Sequence, residues 1–260
     1  LYIRYEVADR IATITLDRPE VANAQNGELL DELDAAWTRA AEDAEVAVIV
    51  LRAEGKHFSS GHDLKAGKGW TDKITLEQIY GSESQRYLGY SLRWRNVPKP
   101  SIAAVQGRCI AGGLLLCWPC DLIVAAEDAL FSDPVVMMGI GGVEYHGHTW
   151  ELGARKAKEI LFTGRPVTAE EARQVGMVNT VVPRDELDSH TRQLAAHIAT
   201  MPAFGLRQAK RAVNQTLDVQ GFYAAIQSVF DSHQTGHGNA LSVNGFPVLV
   251  HLDEMKANMK

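Results

Sequence analysis

Gly107-Arg108-Cys109-Ile110-Ala111-Gly112-Gly113-Leu114-Leu115-Leu116 is the stretch from which the rest of the chain can be read. The apolar run Ile102 to Val105 leads into it, and a second run, Leu122 to Val124, follows the helix-like segment it opens. Strand, glycine turn and helix in that order aim bare backbone N–H groups at whatever lies over the turn, with the positive end of the helix dipole behind them. Such a turn suits a phosphate, or a carbonyl oxygen that gains negative charge during a reaction.

A second glycine turn, Ser59-Ser60-Gly61-His62-Asp63, follows another continuous apolar run, Val46 to Leu51. In a parallel sheet both turns emerge at the C-terminal edge of their strands, where α/β proteins build their sites. One amide from each turn would then converge on a single oxygen. The competing reading is two turns that simply need glycine's backbone freedom.

Working outward, Tyr2 to Val7 and Ile11 to Leu16 alternate around Asp9-Arg10 and predict a β-hairpin. Leu29, Leu30, Leu33, Ala36, Trp37 and Ala40 recur at helical spacing over residues 27–42. Thr75 and Gln78 form a capping box for a helix predicted to reach Trp94, before Pro98 and Pro100. Strands are predicted at Ile102 to Val105, Asp121 to Ala125, Ala129 to Phe131 and Val178 to Val182. Residues 133–150 hold four glycines and little periodicity, which marks a functional loop. From Asp185 onward the pattern is helical, with helices predicted over 185–199, 203–217, 219–235 and 248–259. The expected organisation is an α/β body over residues 1–195, mainly parallel, and a helical region over 196–260.

The chain has 260 residues, 46% hydrophobic and 22% charged, an ordinary globular balance. A net charge of −6 argues against a general nucleic-acid binder. No apolar run reaches the roughly 20 residues that span a bilayer, so no membrane role is expected. Three cysteines and the lack of a basic, apolar leader at Leu1 fit a cytoplasmic protein. Cys117 and Cys120 have CxxC spacing, but with no second pair to complete a zinc set they read as structural. His146 and His148 lack a clear third ligand, so no metal site is expected. Gly139 to Gly142 lacks dinucleotide-binding spacing, and no GxSxG nucleophile elbow is present.

Lys56-His57-Phe58-Ser59-Ser60-Gly61-His62-Asp63-Leu64 resembles the first oxyanion segment of the crotonase (enoyl-CoA hydratase/isomerase) superfamily. Pro98 to Gly107, the glycine turn after it and Cys120-Asp121 resemble the second. Asp17-Arg18-Pro19 with Asn23-Ala24 looks like the early coenzyme A region, and Phe162-Thr163-Gly164-Arg165 with Ala169 to Ala172 and Gly176 to Val178 is similar to the later signature. The resemblance covers essentially the whole chain and keeps motif order. It implies a crotonase-like ββα spiral, a helical C-terminal trimerisation region, a homotrimer or dimer of trimers, and an acyl-CoA thioester as substrate. No cofactor is implied beyond the coenzyme A of that substrate.

By matching position, the resemblance makes the amides of His62 and Gly112 the oxyanion donors. It assigns coenzyme A contacts to Val21, Ala22, Ser60, His62, Asp63 and Leu64; Lys65 and Lys68 are candidate phosphate partners, against the reading of either as part of a solvated basic face. Hydratases of the family use two glutamates for proton transfer. The matching positions here are Leu115, three residues after the donor glycine, and Val135, after Phe131-Ser132-Asp133-Pro134. Some relatives draw a carboxylate from the glycine-rich loop instead. Glu144 is therefore the first acid/base candidate and Asp133 the second, against the reading of Glu144 as a loop carboxylate paired with a neighbour.

Two readings stand for His62: a proton donor to an enolate, or a histidine packed on the adenine side. Some decarboxylating members of the family resemble this sequence in having histidine there with a tyrosine on the later loop, a part that would fall to Tyr145. The expectation is an enoyl-CoA hydratase or isomerase running through Glu144. The alternatives are an acyl-CoA decarboxylase or thioester hydrolase using His62 and Tyr145, and a non-catalytic acyl-CoA binder. His233 and His237 fall where many family members end a helix near the acyl pocket; lining that pocket is one reading, and exposure to solvent is the one expected.

Overall fold

Asp9 and Arg10 both take left-handed backbone angles, the twist that a two-residue hairpin turn requires. They join β1 (Ile3–Ala8) to β2 (Ile11–Leu16) as an antiparallel pair. This computed structural model describes residues 1–64 and 74–258. Strands and helices are numbered in chain order. Onto β2 the sheet adds β3 (Val48–Ala53), β4 (Ser101–Val105), β6 (Leu122–Ala126) and β9 (Thr180–Val182), all parallel. A second sheet holds β5 (Arg108–Ile110), β7 (Leu130–Ser132) and β8 (Val167–Thr168).

The central strands are apolar on both faces, as a covered parallel sheet demands. On one face Ile49, Leu51, Ala103 and Val105 pack with the buried side of α1 (Gly27–Glu42). Trp37 of α1 stacks on Trp94 of α3 (Tyr90–Arg95) with ring centroids 5.9 Å apart. On the other face Val48, Val50, Ile102 and Val124 pack with α8 (Leu187–Ala199). The boundary expected at residue 195 therefore falls inside a helix that belongs to the sheet's own packing.

Several predicted elements differ in extent. The helix opened by the Thr75–Gln78 capping box is α2 (Leu76–Glu83), which widens into a π-helical stretch over Ser84–Gly89 before α3. Neither β5 nor β8 is apparent in the sequence pattern, being only three and two residues long. Helix α10 (Phe222–Asn244) runs well past residue 235. Its Gly236 packs backbone to backbone on the glycine-rich loop, where an added β-carbon would stand 3.0 Å from the Gly139 carbonyl oxygen. The C-terminal region thus closes over the body of the molecule. Among the described residues, no helix is long and apolar enough to cross a membrane.

Candidate active site

The two glycine turns meet. Ser59 pairs with Cys109 of β5 through Ser59 N–H to the Arg108 carbonyl (3.2 Å) and Ile110 N–H to the Ser59 carbonyl (2.9 Å). The first turn is thereby stitched to the small second sheet, not left at the edge of β3. Gly61 has φ +84°, and a β-carbon there would stand 2.8 Å from the Ile110 carbonyl oxygen and 3.1 Å from the Gly112 nitrogen. Glycine is needed at this position for both the angle and the approach. Gly112 lies in the tight turn Ala111–Gly113 that opens α4 (Leu114–Cys117), so its amide is one of the donors a helix start leaves over. Among the described residues, neither the His62 nor the Gly112 amide donates to a protein acceptor.

The proposed coenzyme A contacts gather on one side of these amides. Ser60 N–H donates to the Ala22 carbonyl (2.9 Å), and Ala22 and Asn23 both hold left-handed angles. Asn23 locks that bend by donating to the carbonyls of Glu54 and His57, each at 2.9 Å. Asp63 pairs with Arg18 at 3.1 Å, both side chains largely buried. Val21, Ala22, Ser60 and Asp63 are therefore neighbours. Leu64 packs against Met138, Ile140 and Val248, and all four line the cavity beside the two amides. Lys65 and Lys68 lie outside the described residues.

A cavity of about 100 Å³ sits beside the two amides, walled by His62, Gly112, Val135, Glu144, His233 and His237 among others. Its lining is mostly apolar apart from these polar groups. His62 Nε2 stands 3.1 Å from Glu144 Oε1, so the two side chains that sequence reasoning considered separately form one ion pair. The contact is close, but it lies off the line of a good hydrogen bond. The His62 ring also packs on Tyr87 of the π-helical stretch, centroids 4.0 Å apart.

Glu144 is fully buried. Burial pushes its carboxyl pKa up, but the positive charges of His62 and His233 outweigh that and hold it below the ordinary carboxylate range. Burial likewise pushes the His62 imidazole down, while Glu144 and then Glu83 pull it up, for a net rise. His233 is raised to about 9, with burial opposed by Glu144 and Glu83. Each partner thus favours the charged form of the other against the cost of burial.

Asp133 is placed differently from its candidate role. Its Oδ2 accepts from Val143 N–H at 2.9 Å and lies 2.9 Å from His148 Nε2, and its Oδ1 accepts from Val135 N–H at 3.3 Å. It anchors the glycine-rich loop that carries Glu144 and does not line the cavity. Tyr145 is corrected in the same way. Consecutive loop residues diverge, so that Glu144 enters the small cavity while Tyr145 faces a second one with Trp118, Glu151 and Phe222. No His62–Tyr145 partnership exists in this structure.

Leu115 is a core residue, buried in α4, whereas Val135 reaches the cavity wall. The three cysteines are free and buried, Cys109 and Cys117 with sulfurs 3.9 Å apart, in keeping with a structural role. His233 and His237 are not in solvent but 5% and 2% exposed. With Glu83 and Tyr87 they surround the His62–Glu144 pair. The i, i+4 spacing of two histidines in an apolar helix was a legible signal for one half of this cluster. Glu83 carried none, being one carboxylate among many on predicted helices.

The sequence profile of the Enoyl-CoA hydratase/isomerase family matches residues 6–237. EchA13 of Mycobacterium tuberculosis, whose enoyl-CoA hydratase name is itself provisional, is 43% identical over 94% of this chain and 83% of its own length. A crystal structure of a probable enoyl-CoA hydratase from Mycobacterium smegmatis is 78% identical, covers 96% of this chain and 100% of that one, and superposes with a TM-score of 0.93. An enoyl-CoA hydratase/isomerase from Xanthobacter autotrophicus is 34% identical over 94% of each chain, with a TM-score of 0.86. The paired glycine turns, the ββα order and these likenesses agree: the chain belongs to the enoyl-CoA hydratase/isomerase family, within the crotonase superfamily.

Proposed function

We propose that this protein holds an acyl-CoA thioester with its carbonyl oxygen between the amides of His62 and Gly112, and that the Glu144–His62 pair moves the protons. The observation that carries the reading is the 3.1 Å contact between His62 Nε2 and Glu144 Oε1 at the wall of the cavity those two amides border. The amides stabilise the enolate that forms when the thioester conjugates with a carbanionic α-carbon, and one such donor is worth about 3 kcal/mol in a transition state.

In a hydration, the Glu144 carboxylate takes a proton from the water that adds to the β-carbon, and the His62 imidazolium gives one to the α-carbon. The protons balance across the pair. A carboxylate held below the ordinary range is a weak base while its imidazolium partner stays beside it. A substrate that wedges between the two side chains removes that stabilisation and makes Glu144 more basic at the moment it is needed. Leu115 and Val135, at the two positions where hydratases of the family keep glutamates, have no ionisable group to compete for this role.

Val21, Ala22, Ser60, Asp63 and Leu64 form the coenzyme A side of the reading. Self-association is proposed for the C-terminal region, supported by exposed Phe204, Val213 and Val219 on α9 (Ala203–Val219), which buries none of its own residues.

The test is Glu144→Gln, assayed with crotonyl-CoA and a panel of longer and branched enoyl-CoA esters, beside calorimetric binding of the same esters. Turnover should fall by ~10²–10⁴-fold, the usual contribution of a positioned acid or base, while binding stays within a few-fold. Unchanged turnover refutes the assignment. Carbon dioxide release from methylmalonyl-CoA in place of hydration would move the reaction to decarboxylation on the same enolate. Tight binding without turnover by the unmodified chain would make it an acyl-CoA binder.

A further inference from the structure

Beside the Glu144–His62 pair lies a second cluster that the proposed proton transfer does not use. Glu83 ends α2 where the helix widens, and His233 and His237 stand one turn apart on α10. All three side chains are buried, at 4%, 5% and 2% exposure. His233 Nε2 lies 3.1 Å from Glu83 Oε2, His237 Nε2 3.6 Å from Glu83 Oε1, and the two Nε2 atoms 3.1 Å from each other.

The tautomers follow from the far side of each ring. His233 Nδ1 is 2.7 Å from the Gly142 carbonyl oxygen and His237 Nδ1 is 2.6 Å from that of Pro247. A carbonyl only accepts, so each Nδ1 carries the hydrogen. In the neutral rings both Nε2 lone pairs then point inward, toward each other and toward a carboxylate. A proton can serve one of the three lines at a time, whereas a metal ion serves all three.

We infer that Glu83, His233 and His237 form a binding site for a divalent first-row transition-metal ion, with its open coordination position facing the cavity that holds Glu144. Two imidazoles and one carboxylate are the donor set of open zinc and non-haem iron sites. Donors at bonding distance around a tetrahedral zinc ion are about 3.3 Å apart. Here the two Nε2 atoms are 3.1 Å apart and lie 3.1 and 3.6 Å from different oxygens of the Glu83 carboxylate, and the one ligand atom that each of the three residues offers lies within 4.8 Å of the other two. Histidine ligands that give their other ring N–H to a backbone carbonyl are the usual supporting arrangement. Gln234 adds another such contact, donating to Glu83 Oε2 at 2.6 Å. The π-helical turn after Glu83 is itself a feature found often at functional sites. Such an ion would place a Lewis acid on the cavity wall, able to polarise a water or an oxygen of the acyl group.

The inference does not depend on the acyl-CoA reading, and its test uses no thioester. The full chain, stripped with a chelator, is titrated calorimetrically with zinc chloride and separately with cobalt(II), whose visible spectrum reports coordination. The expected result is one equivalent of zinc per chain and the intense visible bands of four- or five-coordinate cobalt. Glu83→Gln and His237→Gln should each weaken binding at least ~10-fold, with circular dichroism checking that both variants fold. Zinc bound equally by the unmodified chain and the Glu83→Gln variant overturns the inference, as does a cobalt spectrum no different from the hydrated ion. Should the variants fail to fold, the stoichiometry and cobalt spectrum of the unmodified chain still decide.

Discussion

Gly61→Ala is the sharpest perturbation of the paired turns. Alanine at φ +84° pays a left-handed backbone cost of about 1–2 kcal/mol. Its methyl would also stand 2.8 Å from the Ile110 carbonyl oxygen and 3.1 Å from the Gly112 nitrogen. Both neighbours are backbone atoms pinned by the Ser59–Ile110 hydrogen bond, so relief requires the two turns to part by about half an ångström. Overpacking of this kind costs about 1–3 kcal/mol, giving a total loss of stability of about 2–5 kcal/mol. The same displacement moves one amide out of reach of the thioester oxygen, and removing one such donor lowers turnover by ~10²–10³-fold. Urea denaturation measures the first effect and steady-state kinetics with the best enoyl-CoA ester the second. Gly81→Ala is the control, because that helical glycine has open space around its β-position; it should be neutral or stabilising by about 0.5–1 kcal/mol with turnover intact. If folded Gly61→Ala protein keeps turnover within about three-fold of the control, the two amides do not act on one oxygen and the reasoning fails.

Three further outcomes follow from the geometry. Tyr145→Phe should leave turnover within a few-fold, because the tyrosine faces the other cavity; a large loss in steady-state assays would restore it to the chemistry. Asp133→Asn removes a buried partner of His148 and an acceptor of Val143 N–H, so denaturation should show a loss of about 3 kcal/mol. The His62–Glu144 pair should also give a stability window in pH. Glu144 is depressed from 4.5, so its contribution is present above that value and lost as pH falls through the folded one; His62 is raised from 6.5, so its contribution is present below that value and lost as pH rises through the folded one. Glu83 and His233 face the same pair and shift both limits. The destabilisation caused by His62→Gln, followed by denaturation across pH, should be largest between about 4.5 and 6.5 and shrink on both sides; a flat profile would mean that the pair is not ionised.

Much of the scaffold was legible because it is local. The Asp9-Arg10 hairpin, helix α1 and the capping box at Thr75 depend on neighbours within a few residues, and they appear where the pattern places them. The two glycine turns were legible for a related reason: the backbone conformation each needs restricts the residue type on the spot. The short strands β5 and β8 were not, since two or three residues carry no period.

The chain's own letters determined that two amide-bearing turns exist, that Leu115 and Val135 are aliphatic, and that Glu144 sits in a glycine-rich loop. Only tertiary structure decided which side chains share a cavity. Glu144 and Tyr145 are adjacent in sequence, yet alternate loop residues face opposite ways and only one reaches His62. Asp133 and Glu144 are both buried carboxylates, and what separates an anchor from a candidate base is the two amides and the histidine that occupy Asp133. Glu83 meets His233 and His237 across a separation of 150 residues or more. Contacts of that kind are set by how α10 closes over the loop, and no local pattern encodes them.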